Sequence, residues 1–503
     1  MKNFTILLFL SIFSMQVGFS QERFLDDVFT DVDVQENVIY GVNATIAPAL
    51  FLGAQEALPR PLNADVYTPS GDTETARPLV ILLHTGNFLP PEANGGCGGS
   101  IKDNDMVNFA TRLARKGYVV AVADYRIGWN PVDPNQAVRT AFLINASYRG
   151  VQDSRTAVRF FKRTVAENGN PFGVDPDKIA IWGFGTGGYI AYGSSFLDNI
   201  AETEIPKFFL GPNPMINLEN NGNIDATTFG IVDENFIFPG FLPIGDTLCY
   251  ANHVGFSSDF QLGMASGGAN GDDSWVDSDD TPFIAFQVAT DPFAPCESAV
   301  LVVPPPANLP IVEVSGSCIT IPIANSFGLN SVFDVNFIDD ISAASGNILG
   351  FYRFTSDDPA ESAPWNFHLT PEPLGVPGSD CPTDAAAAQI VVDTMMAFAA
   401  PRMCLALNLG CDIDGLISST VNLDAAQVGL EVMPNPASIE VRFEAKENIE
   451  SIYVYDLTGR LVKAHTDIDG LQFTMPRNNL ISGLYVAQIR FESGFVSQKL
   501  SFD

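Results

Sequence analysis

Between Leu62 and Pro69 the chain reads LNADVYTP, apolar and polar residues in alternation, the pattern of a strand with one buried face. Residues 77–84, RPLVILLH, do not alternate. They form a continuous apolar run stopped by Gly and Asn, which predicts a parallel strand covered on both faces. Helical spacing follows over Asp105–Lys116 and is closed by Gly117, a residue suited to the left-handed turn after a helix. YVVAVADYR (118–126) is a second buried run, Val151–Ala166 again has helical spacing, and KIAIWGFG (178–185) runs through glycine into GYIAYGSSFLD (188–198). An earlier extended stretch covers Val32–Tyr40. Strands alternating with helical connections of a dozen or more residues predict an α/β fold, a mostly parallel sheet with helices on both faces. From Leu430 to Asp503 the pattern changes to short β-branched and aromatic runs broken by Asn-Pro, Thr-Gly and Ser-Gly, which predicts a small all-β module.

Composition narrows the partners. With 503 residues, 46% of them hydrophobic, the chain can bury a full core and is long enough for two or three domains. Lys and Arg number 26 against 59 Asp and Glu, a net charge of −33, so nucleic acid and anionic membrane surfaces should be repelled. Lys2, the short apolar run FTILLFLSIF and the small-x-small Gly18-Phe19-Ser20 predict a secretory signal peptide over residues 1–20. A membrane anchor is the competing reading, and Gln16 and Gln21 interrupt the run against it. No later stretch is apolar enough to span a bilayer. Seven cysteines remain after cleavage, compatible with disulfides in an oxidising space, and the odd count leaves one unpaired. Cys404 and Cys411 are the nearest local pair, although spacing does not fix connectivity. The spacings lack the CxxC pairs of a zinc site. GDDSWVDSDD (271–280) carries oxygens for Ca²⁺ without the spacing of a calcium loop, so a solvated acidic loop is the better reading. Trp275 within it is a candidate pocket-lining residue. No metal or cofactor is expected.

Several blocks in fixed order carry a resemblance: LNADVYTPSG, RPLVILLHTGNF, FATRLARKGYVVAVADYRIG, QDSRTAVRFFKRT and FGVDPDKIAIWGFGTGGYIA. Together they resemble the α/β-hydrolase fold, in its secreted carboxylesterase, acetyl-esterase and feruloyl-esterase branch, over Asn63–Leu197 and more loosely to about Pro401. At the other end VMPNPAS, IYVYDLTGRLV and LISGLYVAQIR with SQKL resemble the C-terminal sorting domain of the bacterial type IX (Por) secretion system. An immunoglobulin-like binding appendage is the alternative for that module. The two resemblances imply a signal peptide (1–20), a hydrolase-like domain (21–411), a linker (412–428) and a sorting domain (429–503). They imply export through the periplasm and outer membrane, with the type IX machinery as a partner.

The hydrolase resemblance also implies a site. Family members carry a nucleophilic serine in G-x-S-x-G, on a strained turn from strand to helix. In WGFGTGGYIA the glycines Gly183, Gly185 and Gly187 leave Gly185 at the nucleophile position. Thr186, one residue on, is the substitute oxygen, but the elbow gives that position an amide role in the oxyanion hole. TPFIAFQVATDPFAPCE resembles the segment that carries the family's acid, which implies Asp291, with a plain turn before Pro292 as the alternative. Among four histidines, His84 belongs to the oxyanion loop, His465 to the sorting module, and His253 precedes the acid; the family's chain order leaves His368 as base. HTGNF stands where the family often has HGGGF, so the oxyanion donors are expected from Thr85, Gly86 and Thr186. Two classes of function follow: a secreted hydrolase of small or polymer-linked esters with a rearranged site, or a non-catalytic binder of a glycan, lipid or peptide. Specificity is expected from Asp198–Asp280, which has no recognisable pattern.

Overall fold

The computed structural model describes residues 22–94, 98–303, 307–346, 348–355, 385–413, 425–426, 428–456, 461–466, 468–478, 480–491 and 494–503. The expected signal peptide, His368 and most of the expected linker lie outside the described residues. Two compact units are present, one within Met1–Phe333 and Ala344–Cys411, the other within Asp334–Ala343 and Asp412–Asp503.

The larger unit is built on eight strands: β1 (Val32–Thr45), β2 (Leu58–Pro69), β3 (Arg77–Leu83), β4 (Val119–Ala123), β5 (Val174–Phe184), β6 (Leu262–Ser266), β7 (Phe283–Val288) and β8 (Phe351–Phe354). Their order in the sheet is β1-β2-β4-β3-β5-β6-β7-β8. β2 pairs antiparallel with β1 and β4, and every later pairing is parallel. The uninterrupted apolar runs predict this: every residue of β3, β4, β6 and β7 is buried. The order, with β2 the one antiparallel strand of the eight, is that of the α/β-hydrolase fold.

Alternate side chains of the central strands serve opposite faces. Ile81, Ala121 and Ile181 join the core that packs under the long helix α2 (Gln136–Glu167) and α3 (Thr186–Phe196). Trp182 and Phe184 point the other way, onto Phe109 of α1 (Asn104–Arg115), at ring-centroid distances of 5.1 and 4.8 Å. Phe286 continues that layer to Phe398 of α5 (Ala385–Ala406), numbered after α4 (Ser317–Ser326). Helices therefore cover both faces, as the alternation of strand and helix predicts.

Helix α2 begins at Gln136 rather than Val151. Its first half hides from a search for apolar periodicity because the residues turned inward include Arg139, Asn145 and Arg149. Each donates to a backbone carbonyl distant in sequence: Arg139 to Pro310 (2.8 Å), Asn145 to Met215 (2.8 Å) and Arg149 to Gly128 (2.7 Å). Deeper in, Arg126 and Asp153 form a fully buried ion pair at 2.9 Å, with Gln152 and the carbonyls of Ala44 and Leu248 also accepting from the guanidinium.

The smaller unit is a six-stranded antiparallel sheet organised around the long strand Glu440–Asp456, with its own core of Phe443, Ile452, Ile489 and Leu500. This is the all-β module the C-terminal pattern predicts. Disulfides join Cys404 to Cys411 and Cys296 to Cys318, while Cys249 is buried and free.

Candidate functional site

The turn from β5 into α3 passes through Gly185 at φ +52°, ψ −111°, a left-handed conformation that disfavours residues with a side chain. The Gly185 amide donates to the Ser266 carbonyl at 2.8 Å, and its own carbonyl accepts from Gly188 at 2.9 Å. The flanking glycines have a separate cause. A Cβ on Gly183 would lie 1.9 Å from the Gly187 carbonyl oxygen, and one on Gly187 would lie 2.2 Å from the Leu83 carbonyl oxygen. Gly183 is crowded by the first residues of α3 and Gly187 by the end of β3, too closely for a side chain at either position.

At Gly185 the obstacle is a side chain. A Cβ there would stand 2.3 Å from Thr85 Oγ1 and 2.9 Å from Thr85 Cβ. The loop HTGNF after β3 thus puts the threonine into the space that a side chain on residue 185 needs. Gly86, at φ +135°, allows a close approach to Gly99, where an added Cβ would meet the Gly99 Cα at 2.9 Å. Asn87 and Phe88 are themselves left-handed, at φ +55° and +53°. They are held there: the Asn87 amide donates to Thr186 Oγ1 (2.6 Å), its side chain to the Asn94 carbonyl (2.7 Å), and Trp129 Nε1 to the Asn87 carbonyl (2.7 Å). Thr186, the substitute oxygen expected from sequence, therefore spends its hydroxyl as an acceptor for a loop amide.

His84 is buried behind this loop, stacked on Tyr125 at 4.5 Å. Its Nδ1 donates to the Thr85 carbonyl (2.5 Å) and its Nε2 faces Asp124 Oδ1 (3.4 Å). Burial opposes a charge on the ring, but the Asp124 hydrogen bond and charge outweigh it and raise the His84 pKa above its ordinary value. Burial also opposes ionisation of Asp124, and His84 and Arg60 hold its pKa low. The pair is a support for the loop, with both ring nitrogens committed.

Asp291 stands three residues past β7, 6% exposed, and its Oδ1 accepts from the amides of Phe293 (2.8 Å) and Ala294 (3.0 Å). Burial pushes its pKa up to about 8 against the pull of those two amides. His368, its expected partner, lies outside the described residues. His253 bridges the Tyr40 carbonyl (2.6 Å) and Arg163 (2.9 Å), well occupied as a packing residue against Phe160.

Beside the turn lies a cavity of about 310 Å³ that reaches Asn87, Thr186 and Tyr189 at one end. Its outer wall is a hairpin arm, Ser298–Val302 paired with Pro310–Ser315, whose base is closed by Cys296–Cys318. Trp275 lines the cavity, as its place in the acidic loop suggested, and Asp272 of that loop pairs with Lys207. The arm was missed in the sequence because VVPPPANLP reads as a plain loop; the alternating run IVEVS was the available signal. Among the described residues no group of three or more His, Cys, Asp and Glu is placed to hold a metal ion.

Residues 64–223 match the BD-FAE family, and residues 431–502 match the secretion system C-terminal sorting domain. No curated protein matches the chain. Among solved structures, esterase 2 of Thermogutta terrifontis phosphorylated by paraoxon is 14% identical, covering 74% of this chain and 94% of its own, with a TM-score of 0.35. MGS-M1, an α/β hydrolase enzyme from a Medee basin deep-sea metagenome library, is 12% identical, covering 76% and 100%, with a TM-score of 0.33. The family matches give an esterase-like domain over residues 64–223 and, over residues 431–502, a sorting domain that marks the chain for secretion or the cell surface. No helix among the described residues is long and apolar enough to cross a membrane.

Proposed function

We propose that this protein has kept the esterase fold and lost ester hydrolysis, and that its site holds a ligand without turning it over. The observation that carries the reading is the contact of Thr85 with Gly185. Were a serine merely missing, the vacated space would remain; here a threonine from the facing loop fills it. Two positions 100 residues apart (185 − 85) have become mutually exclusive with a nucleophile. The hydroxyls nearby do not replace it. Thr186 Oγ1 accepts from the Asn87 amide, so its hydroxyl is engaged with the facing loop. Losing the nucleophile of a serine hydrolase costs on the order of 10⁶-fold in turnover, so what remains is a shaped cavity on an exported scaffold.

The test is direct. Purified mature protein is treated with a fluorophosphonate probe and assayed with short-chain aryl esters. Neither covalent label nor turnover above background is expected. A label mapping to Thr85 or Thr186 would overturn the proposal and assign an unorthodox esterase.

A further inference from the structure

The cavity beside Gly185 has walls of unusual uniformity. None of the described residues that line it is Asp, Glu, Lys, Arg or His, in a chain of net charge −33. Leu143, Ile144 and Val151 of α2 face it from one side and Leu301, Ile311 and Val312 of the arm from the other. The polar tips of the aromatic residues are satisfied by backbone carbonyls. Tyr148 donates to Gly222 (2.9 Å), Tyr189 to Phe293 (2.6 Å), Trp129 to Asn87 (2.7 Å) and Trp275 to Glu202 (2.9 Å). What these rings present to the space is carbon.

The wall is also fixed. Gln136, Thr140 and Arg139 of α2 donate to the carbonyls of Ile311 and Pro310 on the arm, and Lys207 donates to that of Glu313. Asn270 and Ser315 exchange backbone hydrogen bonds at 2.8 and 2.9 Å. With the disulfide at its base, the arm is held by its backbone at many points, so the cavity needs no ordering step on binding and loses less entropy when it fills.

From these observations we infer that the cavity is a binding site for one uncharged, largely apolar small molecule, such as an aromatic or aliphatic compound without a carboxylate or amine. The inference rests on the non-catalytic reading only in treating the molecule as a ligand rather than a substrate. A volume of about 310 Å³ falls at the small end of ligand pockets, about 300–1,000 Å³. A charged ligand would lose its hydration with no opposite charge among the described lining residues to replace it.

Two probes that share one aromatic frame separate the possibilities: neutral N-phenyl-1-naphthylamine and its sulfonated relative 8-anilinonaphthalene-1-sulfonate. With the full mature chain, the neutral probe is expected to bind one per chain with a blue shift, and the sulfonate at least about tenfold more weakly. Ser147→Phe, which places a ring in the cavity from α2, should weaken the neutral probe about tenfold or more without lowering the thermal midpoint. Val300→Asp, on the exposed outer face of the arm, should leave affinity unchanged. Equal affinity for both probes, no saturable binding, or undiminished binding by Ser147→Phe would overturn the inference. The fluorophosphonate assay reports separately: absence of label with no probe binding leaves the loss of hydrolysis standing and removes this site, whereas a label with charge-selective probe binding does the reverse.

Discussion

Thr85 Oγ1 lies 2.3 Å from the point where a Cβ on Gly185 would be built, so the two residues interlock as a small backbone position and the side chain that fills it. Restoring the nucleophile by Gly185→Ser alone, the obvious experiment from the sequence, is therefore blocked by a neighbour and not only by the positive φ. Overpacking and left-handed strain together should cost at least about 2 kcal/mol in a denaturant titration. The companion change Thr85→Gly removes the obstacle. In a double-mutant cycle the pair should be more stable than the sum of the single changes predicts by about 1 kcal/mol or more, the sign expected of direct contact. Ester hydrolysis is expected from the double variant only, at no more than about 10³-fold over water; a further loss on adding His368→Ala would assign that residue as the base. Additive single effects would mean that the two side chains do not compete.

Much of the fold was legible because burial on both faces leaves no room for alternation: RPLVILLH and YVVAVADYR became β3 and β4 with ends within a few residues. The start of α2 was not legible, since Arg139, Asn145 and Arg149 are buried by hydrogen bonds that only the folded chain provides. At the site, the glycine in place of serine could be read directly. Its partner could not, because Thr85 reaches Gly185 only through the pairing of β3 with β5. Cys404 and Cys411 stood out as the nearest local pair, with connectivity open, while nothing in the spacing singled out Cys296–Cys318, which encloses the hairpin arm.

That second disulfide gives a prediction about the cavity. It closes a loop of 22 residues, for which the chain-entropy estimate is about 3 kcal/mol. Cys296→Ala with Cys318→Ala should lower the thermal midpoint and weaken the neutral naphthylamine, because the arm would then depend only on its hydrogen bonds to α2, Lys207 and Asn270. Unchanged binding would show that those contacts suffice to fix the wall.

The buried pair Arg126 and Asp153 supports the same region from below, joining the end of β4 to the middle of α2. Arg126→Met leaves an unpaired carboxylate with no exposure and should cost about 3–5 kcal/mol. Replacing both, Arg126→Met with Asp153→Leu, should recover a large part of that loss in urea unfolding. If the double variant were as unstable as the single one, the donor bonds from Arg126 to the Ala44 and Leu248 carbonyls would be the larger contribution.

Asp291 supplies the prediction that bears most on catalysis. With its pKa pushed up to about 8 by burial, the folded chain holds a proton there that the unfolded chain releases near pH 4. Between those values the native state binds more protons, so this group's contribution to stability falls as pH rises, by up to about 1.4 kcal/mol per unit, and levels off above pH 8. Asp291→Asn keeps an oxygen for the Phe293 and Ala294 amides and has no proton to lose. The variant should match the parent near pH 4 and become progressively more stable than it toward pH 8, read as thermal midpoints across that range. A neutral acid cannot orient and stabilise an imidazolium, which is the work a triad requires of this position. The opposite slope, with the parent the more stable protein at pH 7, would mean that a cation pairs with Asp291. The natural suspect would be His368, and the case for a lost reaction would then rest on Gly185 and Thr85 alone.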